Sequence, residues 1–200
     1  MPSPAAHVYR RGVQCARTLR DATVDVRLRP MSREDVQTFA HAYLASLVAV
    51  WEAYLNELAR NFYQETANPL RIDYHAMHEV ARMASERAME RFNTPNWENA
   101  RNFLIATTGY DPISDWTLPR RGMGVQDVRE RLNQILRVRH SFAHGFAIPS
   151  YSWTTSTSGR VRLTVEVLRE TEAFFNNLVR RTDSGLQRHI QTTYGRAVAW

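Results

Sequence analysis

Hydrophobic residues recur every three or four positions over most of the chain, which is the spacing of one face of an α-helix. The longest such stretch follows Ser32, a good N-cap residue, and has Glu34 and Asp35 where a helix dipole favours negative charge. The pattern predicts one long helix of about seven turns that starts at this cap. Its apolar positions are Val36, Ala40, Tyr43, Leu47, Trp51, Tyr54, Leu58 and Phe62.

Two shorter helices are predicted after this one. The second helix begins at about Asp73. The third has Thr94 as its cap and Pro95 at its first position, and it ends before Gly109, a residue type that commonly terminates helices. The second helix is expected to pack on the core through a single apolar face. That face consists of Met77, Val80, Ala81, Ala84, Ala88 and Phe92.

The rest of the chain is predicted to contain two more helices. Residues 109–124 are rich in glycine and proline, so a loop is expected there. A fourth helix is predicted over 125–143 and a last one over 169–193, with Gly185 as a point where the last helix breaks or bends. The apolar positions of the fourth helix are Val128, Leu132, Ile135 and Phe142.

Two short stretches, 24–28 and 161–167, alternate between apolar and polar residues as half-buried strands do. The second stretch is predicted to be one strand of a hairpin. We therefore expect a mainly α fold, a helical bundle of four to five helices with a small β element. Residues 32–200 are predicted to form this domain. Residues 1–31 are predicted to be an N-terminal extension, in which a short helix precedes the first strand.

The composition adds a strong positive charge to this picture. The net charge at pH 7 is +6, and all 26 basic residues are arginine, since the chain has no lysine. Planar guanidinium groups on a basic surface attract nucleic acids or acidic proteins. The same composition also suits a basic protein that is merely well solvated. The hydrophobic share of 44% is sufficient for a packed core.

Other features disfavour several classes of protein. The single cysteine, Cys15, rules out an intramolecular disulfide and a cysteine-built zinc site. No apolar stretch approaches the roughly 20 residues that a membrane-spanning helix needs. The start of the chain, Met1 to Pro4, lacks the basic and apolar regions of a signal peptide. We therefore expect a soluble, cytoplasmic protein with no membrane partner.

The fourth helix carries an arginine where its pattern predicts a core position. Arg139 follows Ile135 and precedes Phe142 at helical spacing, so it falls in the apolar seam. A charge there is costly unless it is paired or lies in a wet cleft. One explanation is a buried salt bridge to a carboxylate on a neighbouring helix, such as Glu52, and the other is a functional site.

A histidine closes the same helix. His144 is followed directly by Gly145, so it is expected at the helix C-terminus, where free carbonyls favour its charged form while a nearby arginine disfavours it. This balance suits a histidine that exchanges protons near neutral pH, although a simple helix cap would look the same. His140 and His144 are four residues apart, a spacing that can bind metal, but no third ligand is evident and no metal site is expected.

The stretch Arg139-His140-Ser141-Phe142-Ala143-His144-Gly145 resembles the motif of HEPN proteins, in which a polar residue follows an arginine and a histidine closes the helix. Residues 46–55 (SLVAVWEAYL) are similar to the first core helix of the RiboL-PSP-type branch of that family. The resemblance spans residues 35–193. It implies a helical bundle, and many such proteins are metal-independent endoribonucleases that need no cofactor.

The resemblance also implies roles for individual residues. His144 is expected to act as general base or acid on a ribose 2′-hydroxyl or a leaving 5′-oxygen, and Arg139 to stabilise charge on the phosphate. His140 is expected to orient or polarise the site. Glu52 is a further candidate on the early helix, or else a solvated charge at the edge of its apolar stripe. The products would carry 2′,3′-cyclic phosphate and 5′-hydroxyl ends.

The geometry of the motif indicates how many copies the site needs. Arg139 and His144 differ by about 140° around an ideal helix, so one copy converges poorly unless the last turn of the helix unwinds. Two copies facing each other across a two-fold axis converge more easily, and HEPN ribonucleases form dimers with a composite site. The expected partners are therefore RNA, a second copy of the chain, and an antitoxin or sensor protein that controls a toxin or anti-phage effector.

Two further interpretations stay open. The first is a catalytically inactive HEPN domain that serves as an RNA-binding, protein-binding or dimerisation module. The second is a helical signalling or structural protein in which Arg139 only forms a buried ion pair. Three results distinguish the interpretations. RNA cleavage indicates the ribonuclease, RNA binding without cleavage indicates the inactive module, and loss of stability on replacing Arg139 indicates the structural ion pair.

Overall fold

Six α-helices form a bundle in a computed structural model of the chain, which describes residues 1–25, 27, 31–68, 70–143, 145, 147–156, 158–198 and 200. The predicted mainly α bundle is confirmed, with one helix more than expected. The helices are α1 (Pro4–Ala22), α2 (Arg33–Thr66), α3 (Ile72–Arg91), α4 (Trp97–Thr108), α5 (Val125–Ala143) and α6 (Val165–Tyr194), with short 3-10 turns at Pro112–Ser114 and Pro119–Arg121.

The long helix α2 is the centre of the bundle and contacts every other helix. It begins as predicted at Ser32, whose hydroxyl accepts the backbone N–H of Asp35 while the Asp35 carboxylate accepts the N–H of Ser32. The indole of Trp51 packs at its middle against Trp116 and Phe175, at ring-centroid distances of 6.2 and 5.9 Å. Among the described residues, none of the helices combines the length and apolar character needed to span a bilayer.

Helix α1 lies along α2 and α6 and contributes to the same core, although its residues fall in the stretch assigned above to an N-terminal extension. Its buried face includes Tyr9 and Val13. Two buried carboxylates of α6 hold it in place. Glu172 accepts hydrogen bonds from Arg17, Arg20 and Tyr43. The first helix that the sequence indicated within 1–31 is thus an integral layer of the bundle.

The second buried carboxylate, Asp183, joins the start of α1 to the middle of α2. It accepts the backbone N–H and the hydroxyl of Ser3 at 2.9 and 2.8 Å, and the hydroxyl of Tyr54 at 2.7 Å. Because three donors surround it, the charge is well solvated by the protein despite its burial. Asp183 thus contacts the start of α1, while the earlier residue Glu172 of α6 contacts the end of α1, so the two helices run antiparallel.

The strand predicted over 161–167 does not form. Val165 and Val167 lie in the first turn of α6, where the hydroxyl of Thr164 accepts the N–H of Val167 and caps the helix. What remains of the predicted hairpin is a chain reversal with one isolated bridge between Thr155 and Val161. In the other stretch predicted as a strand, Val26 and Leu28 lie outside the described residues.

Most of the face of α3 that was predicted to be buried is exposed, although Phe92 at the end of the helix packs against the core as expected. Met77 and Val80, which were expected in the core, are 76% and 69% exposed. The buried residues of α3 are instead His78, Ser85 and Met89. The pattern identified an apolar face correctly but wrongly placed it in the core. Periodicity alone does not tell which face of a helix packs against the rest of the molecule.

Helix α4 begins two residues later than predicted. Asn96, rather than Thr94, is its cap and accepts the N–H of Asn99 at 2.8 Å. Its end is as expected, because Gly109 adopts a φ of 72° that favours glycine. Helix α6 continues through Gly185, so the break that was one of the two expectations for this position does not occur.

Candidate functional site

The elements that carry the motif meet at one end of the bundle. Here α5 ends, α2 begins and α6 begins. The side chain of Gln37 on α2 ties this end together: its amide nitrogen donates to the carbonyl of Leu163 at 3.0 Å, and its oxygen accepts the N–H of Leu163 at 2.9 Å. The loop that leads from α5 into α6 is therefore anchored to the first turns of α2.

Arg139 lies on α5 as predicted and is half-buried. The fully buried side chains of the helix include Leu132, Ile135 and Val138, so Val138 rather than Arg139 takes the position nearest the core. Within the part of the chain that the structure describes, Arg139 makes no hydrogen bond or salt bridge. Among those residues the half-buried guanidinium has no ion-pair partner, which does not fit a buried ion pair as the reason for its presence.

Glu52 lies on the facing helix α2 and is also half-buried. Burial raises the pKa of its carboxyl, and the positive charge of Arg139 opposes that rise without cancelling it. The two side chains thus influence each other without direct contact among the described residues. The structure brings Arg139 and Glu52 to the same side of the α2–α5 contact.

The structure describes one of the two histidines of the motif. His140 is exposed on α5. His144 lies outside the described residues, and it follows Ala143, where α5 ends. Among the residues that are described, no three histidine, cysteine, aspartate or glutamate side chains come together in a way that would hold a metal ion.

A third histidine, His41 of α2, packs directly against the motif. Its ring stacks on that of Phe142, with centroids 5.3 Å apart and planes 29° apart. The side chain is 1% exposed, and burial lowers the pKa of the imidazole, which favours the neutral form. Sequence reasoning missed this residue, although a histidine in the second apolar row of α2, with Leu44 and Val48, was a clue to it.

An open depression of about 520 Å³ lies beside this contact. It is bordered by His41, Gln37 and Thr38 of α2 and by Gly145, the residue that follows His144 in the sequence. Ile148 and Val161 supply apolar walls. The depression therefore combines a neutral imidazole with hydroxyl and amide groups directly next to the end of the motif helix. Such groups can bind and orient a polar ligand.

Comparison of the chain with protein-family models, with curated proteins and with solved structures finds no match.

Proposed function

We propose that the chain is a metal-independent endoribonuclease of the HEPN type that cleaves RNA by attack of a ribose 2′-hydroxyl. The observation that carries the proposal is Arg139, a half-buried guanidinium that has no protein partner among the described residues and lies close to the end of α5. A guanidinium held in this way is free to bind an anionic ligand, and it can contact two phosphate oxygens at once.

The proposed cleavage needs no cofactor, since the RNA supplies the nucleophile. The 2′-oxygen forms a bond to phosphorus as its proton passes to His144, and the bond from phosphorus to the 5′-oxygen breaks as that oxygen takes a proton from water. Arg139 stabilises the charge on the phosphoryl oxygens in between. His140, exposed on the same helix, orients the substrate, and the Glu52 carboxylate attracts the guanidinium electrostatically without contacting it.

The site is proposed to be complete only in a homodimer. Arg139 and the position of His144 point about 140° apart on an ideal helix, so one copy serves the phosphate while the other supplies the proton transfer. His41 holds the end of α5 in place through its stack on Phe142. An effector of this kind, a toxin or an anti-phage protein in the cytoplasm, also needs an antitoxin or sensor partner to keep it silent.

The experiment is a denaturing gel of total RNA incubated with the full chain in EDTA. The wild type is expected to shorten the RNA and to leave 2′,3′-cyclic phosphate ends. Arg139→Ala and His144→Ala are each expected to lower the cleavage rate by a factor on the order of 100 or more, because proton transfer and charge stabilisation each contribute that much.

Arg137→Ala is the matched control, since Arg137 is exposed on the same helix two residues before Arg139. It should cleave like the wild type, and far-ultraviolet circular dichroism should show all variants folded. If the wild type in EDTA leaves every RNA substrate that is tried at full length, the proposal is wrong.

The second candidate function is a catalytically inactive HEPN domain that binds RNA or protein. The exposed apolar face of α3 favours the protein-binding or dimerisation form of this module, since such faces mark surfaces that bind protein. A shift of RNA on a native gel without any shortening on the denaturing gel would support this function over cleavage.

A further inference from the structure

A groove between α6 and the loop that precedes α5 is lined by five arginines, and its volume is about 610 Å³. Among the described residues, Asp115 is the only carboxylate in its lining, and it is already paired with Arg188 and accepts the hydroxyl of Tyr110 at 2.7 Å. The lining therefore carries a large uncompensated positive charge. The five arginines are Arg120, Arg121, Arg180, Arg181 and Arg188.

The groove is a feature of the fold and not a chance accumulation of surface charge. Arg180, Arg181 and Arg188 recur on one face of α6, along about 12 Å of its axis. Pro119 begins the turn that brings Arg120 and the next residue to the opposite wall. Asn177 and Ser184 add neutral hydrogen-bonding groups on the same face of α6. Like charges held this close repel each other unless an anion lies between them.

We propose that this groove binds the phosphate groups of a single-stranded polynucleotide. Guanidinium groups on both walls match successive phosphates along an extended strand, as in other charged grooves that follow a nucleic-acid backbone. The proposal rests on the proposed function in one respect, since it takes RNA as the ligand. It does not depend on cleavage.

Binding is measured by fluorescence anisotropy with the full chain and a labelled single-stranded 2′-O-methyl RNA, which cannot be cleaved by 2′-hydroxyl attack. Arg180→Gln/Arg181→Gln should weaken binding at least tenfold. It should also lower the slope of log affinity against log salt by about 1.4, the value for two lost phosphate contacts on a single strand. Arg60→Gln/Arg169→Gln, which removes two exposed charges elsewhere, is the control and should bind normally.

Equal weakening by the two double variants would overturn the proposal. So would inorganic tripolyphosphate that competes as well as the RNA at equal concentration, because the groove would then recognise a small anion. The two proposals fail separately: Arg139→Ala should keep the anisotropy signal and lose cleavage. The groove variant should still cleave when the RNA is saturating.

A second inference comes from α3, whose solvent-facing side is apolar. Ile72 is 83% exposed and Met83 is 51% exposed, in addition to Met77 and Val80. Leu70, just before the helix, is 92% exposed. An apolar patch of this kind on a folded protein marks a surface that another molecule covers.

The helix is fixed in this orientation by its polar side. His78 is buried, and its Nε2 atom lies 3.0 Å from the hydroxyl of Thr66. Ser85 and Met89 are buried on the same side. Rotating the apolar face of α3 inward would pull these polar contacts out of the bundle, so the face needs a partner from outside the chain.

The face is self-complementary about Val80. When two copies of α3 pair antiparallel across a two-fold axis at Val80, Met77 of one copy lies opposite Met83 of the other. Ala76 lies opposite Ala84, and these small residues allow the two helix backbones to approach closely. At each end of the paired stretch, Asp73 of one copy lies opposite Arg87 of the other. The dimer therefore has two ion pairs, one at each end.

We infer that α3 pairs with α3 of a second copy of this chain in an antiparallel helix dimer. The charge pattern commits the face to this occupant, because an unrelated apolar partner would have no reason to match Asp73 and Arg87 at the two ends. The proposed function requires the ends of α5 from two copies to meet, and the α3 contact is a separate requirement that does not follow from it. This interface lies on α3 and stands whether or not the chain cleaves RNA.

The test is the molar mass of the full chain by sedimentation equilibrium. The wild type should be dimeric at micromolar concentration. Val80→Glu should raise the dissociation constant at least a hundredfold, because it places two carboxylates at the two-fold axis. Asp73→Arg should weaken the dimer, and Asp73→Arg/Arg87→Asp should restore it by exchanging the charges. Val24→Glu, at an exposed valine outside α3 that is 50% accessible, is the control.

Each variant alters a solvent-exposed position, so circular dichroism should show all of them folded. A monomeric wild type would overturn the inference. A dimer that is unaffected by Val80→Glu would overturn it as well, as would a charge exchange that fails to rescue Asp73→Arg.

Discussion

Replacing Gly185 by alanine will lower the free energy of unfolding by about 1–3 kcal/mol, the usual cost of overpacking a core. A Cβ atom at this position would lie 1.8 Å from the hydroxyl oxygen of Tyr110 and 2.4 Å from a carboxylate oxygen of Asp115. Both groups are held in place, since they hydrogen-bond each other and Asp115 pairs with Arg188. Urea denaturation followed by circular dichroism measures the change.

The sign of this effect is informative, because alanine normally stabilises a helix interior by about 1 kcal/mol relative to glycine. Ser184→Ala, at the exposed neighbouring position of α6, is the control and should change stability by less than about 0.5 kcal/mol. In a Tyr110→Leu background, Gly185→Ala should cost less than in the wild type, since the closest clash has been removed. Equal costs in both backgrounds would show that steric contact with Tyr110 is not the cause.

Gly185 also illustrates where prediction from the sequence ends. A glycine within a helical pattern indicates a weak point, and the sequence predicted a break or a bend there. The structure shows a close approach instead: the loop before α5 docks on α6 at the one position without a side chain. Only the tertiary contact distinguishes the two, because a lone glycine has the same helix propensity in either case.

Features that depend only on a few neighbouring residues were predicted well. The start of α2 follows from the reciprocal hydrogen bonds of Ser32 and Asp35, and the end of α4 follows from the positive φ of Gly109. The strand predicted over 161–167 failed because Thr164 caps a helix there. An alternation of four apolar residues is too short to outweigh a cap, and the helix continues from it into a strongly periodic stretch.

The candidate site was predicted in part for the same reason. Arg139 stood out because a charge within an apolar seam needs an explanation, and the structure leaves it half-buried and unpaired within the described residues. His41 was missed because nothing in a sequence shows that two positions a hundred residues apart are in contact. Its stack on Phe142 is a property of the α2–α5 packing alone.

Glu172→Gln will lower the free energy of unfolding at pH 7 by about 3 kcal/mol, the lower end of the range for breaking a buried ion pair. The Glu172 side chain is 7% exposed and accepts hydrogen bonds from Arg17 at 2.6 Å and from Arg20 at 2.9 Å. The lower end applies because the Arg17 side chain is 46% exposed and Arg20 keeps an ion pair with Asp21. Urea denaturation of both proteins gives the difference.

The difference in the free energy of unfolding between the wild type and Glu172→Gln should shrink as the pH falls. Burial raises the pKa of Glu172, but hydrogen bonds from Arg17 and Tyr43 and the positive charges of Arg17 and Arg20 outweigh it and leave the pKa below its ordinary value of 4.5. A lowered pKa means that the carboxylate stabilises the fold fully above pH 4.5, and that this contribution is lost as the pH falls through the lowered pKa. Wild type and Glu172→Gln should therefore converge in acid.

A matched pair on the surface isolates the effect of burial. Glu57 and Arg60 form an ion pair of 3.2 Å on α2, with side chains 29% and 55% exposed. Glu57→Gln should cost less than about 0.5 kcal/mol at pH 7, since solvent screens such pairs. If the loss in Glu172→Gln stayed constant from pH 7 to strong acid, it would come from packing and not from charge. The convergence in acid thus tests whether α1 is held to the bundle by the ionised carboxylate.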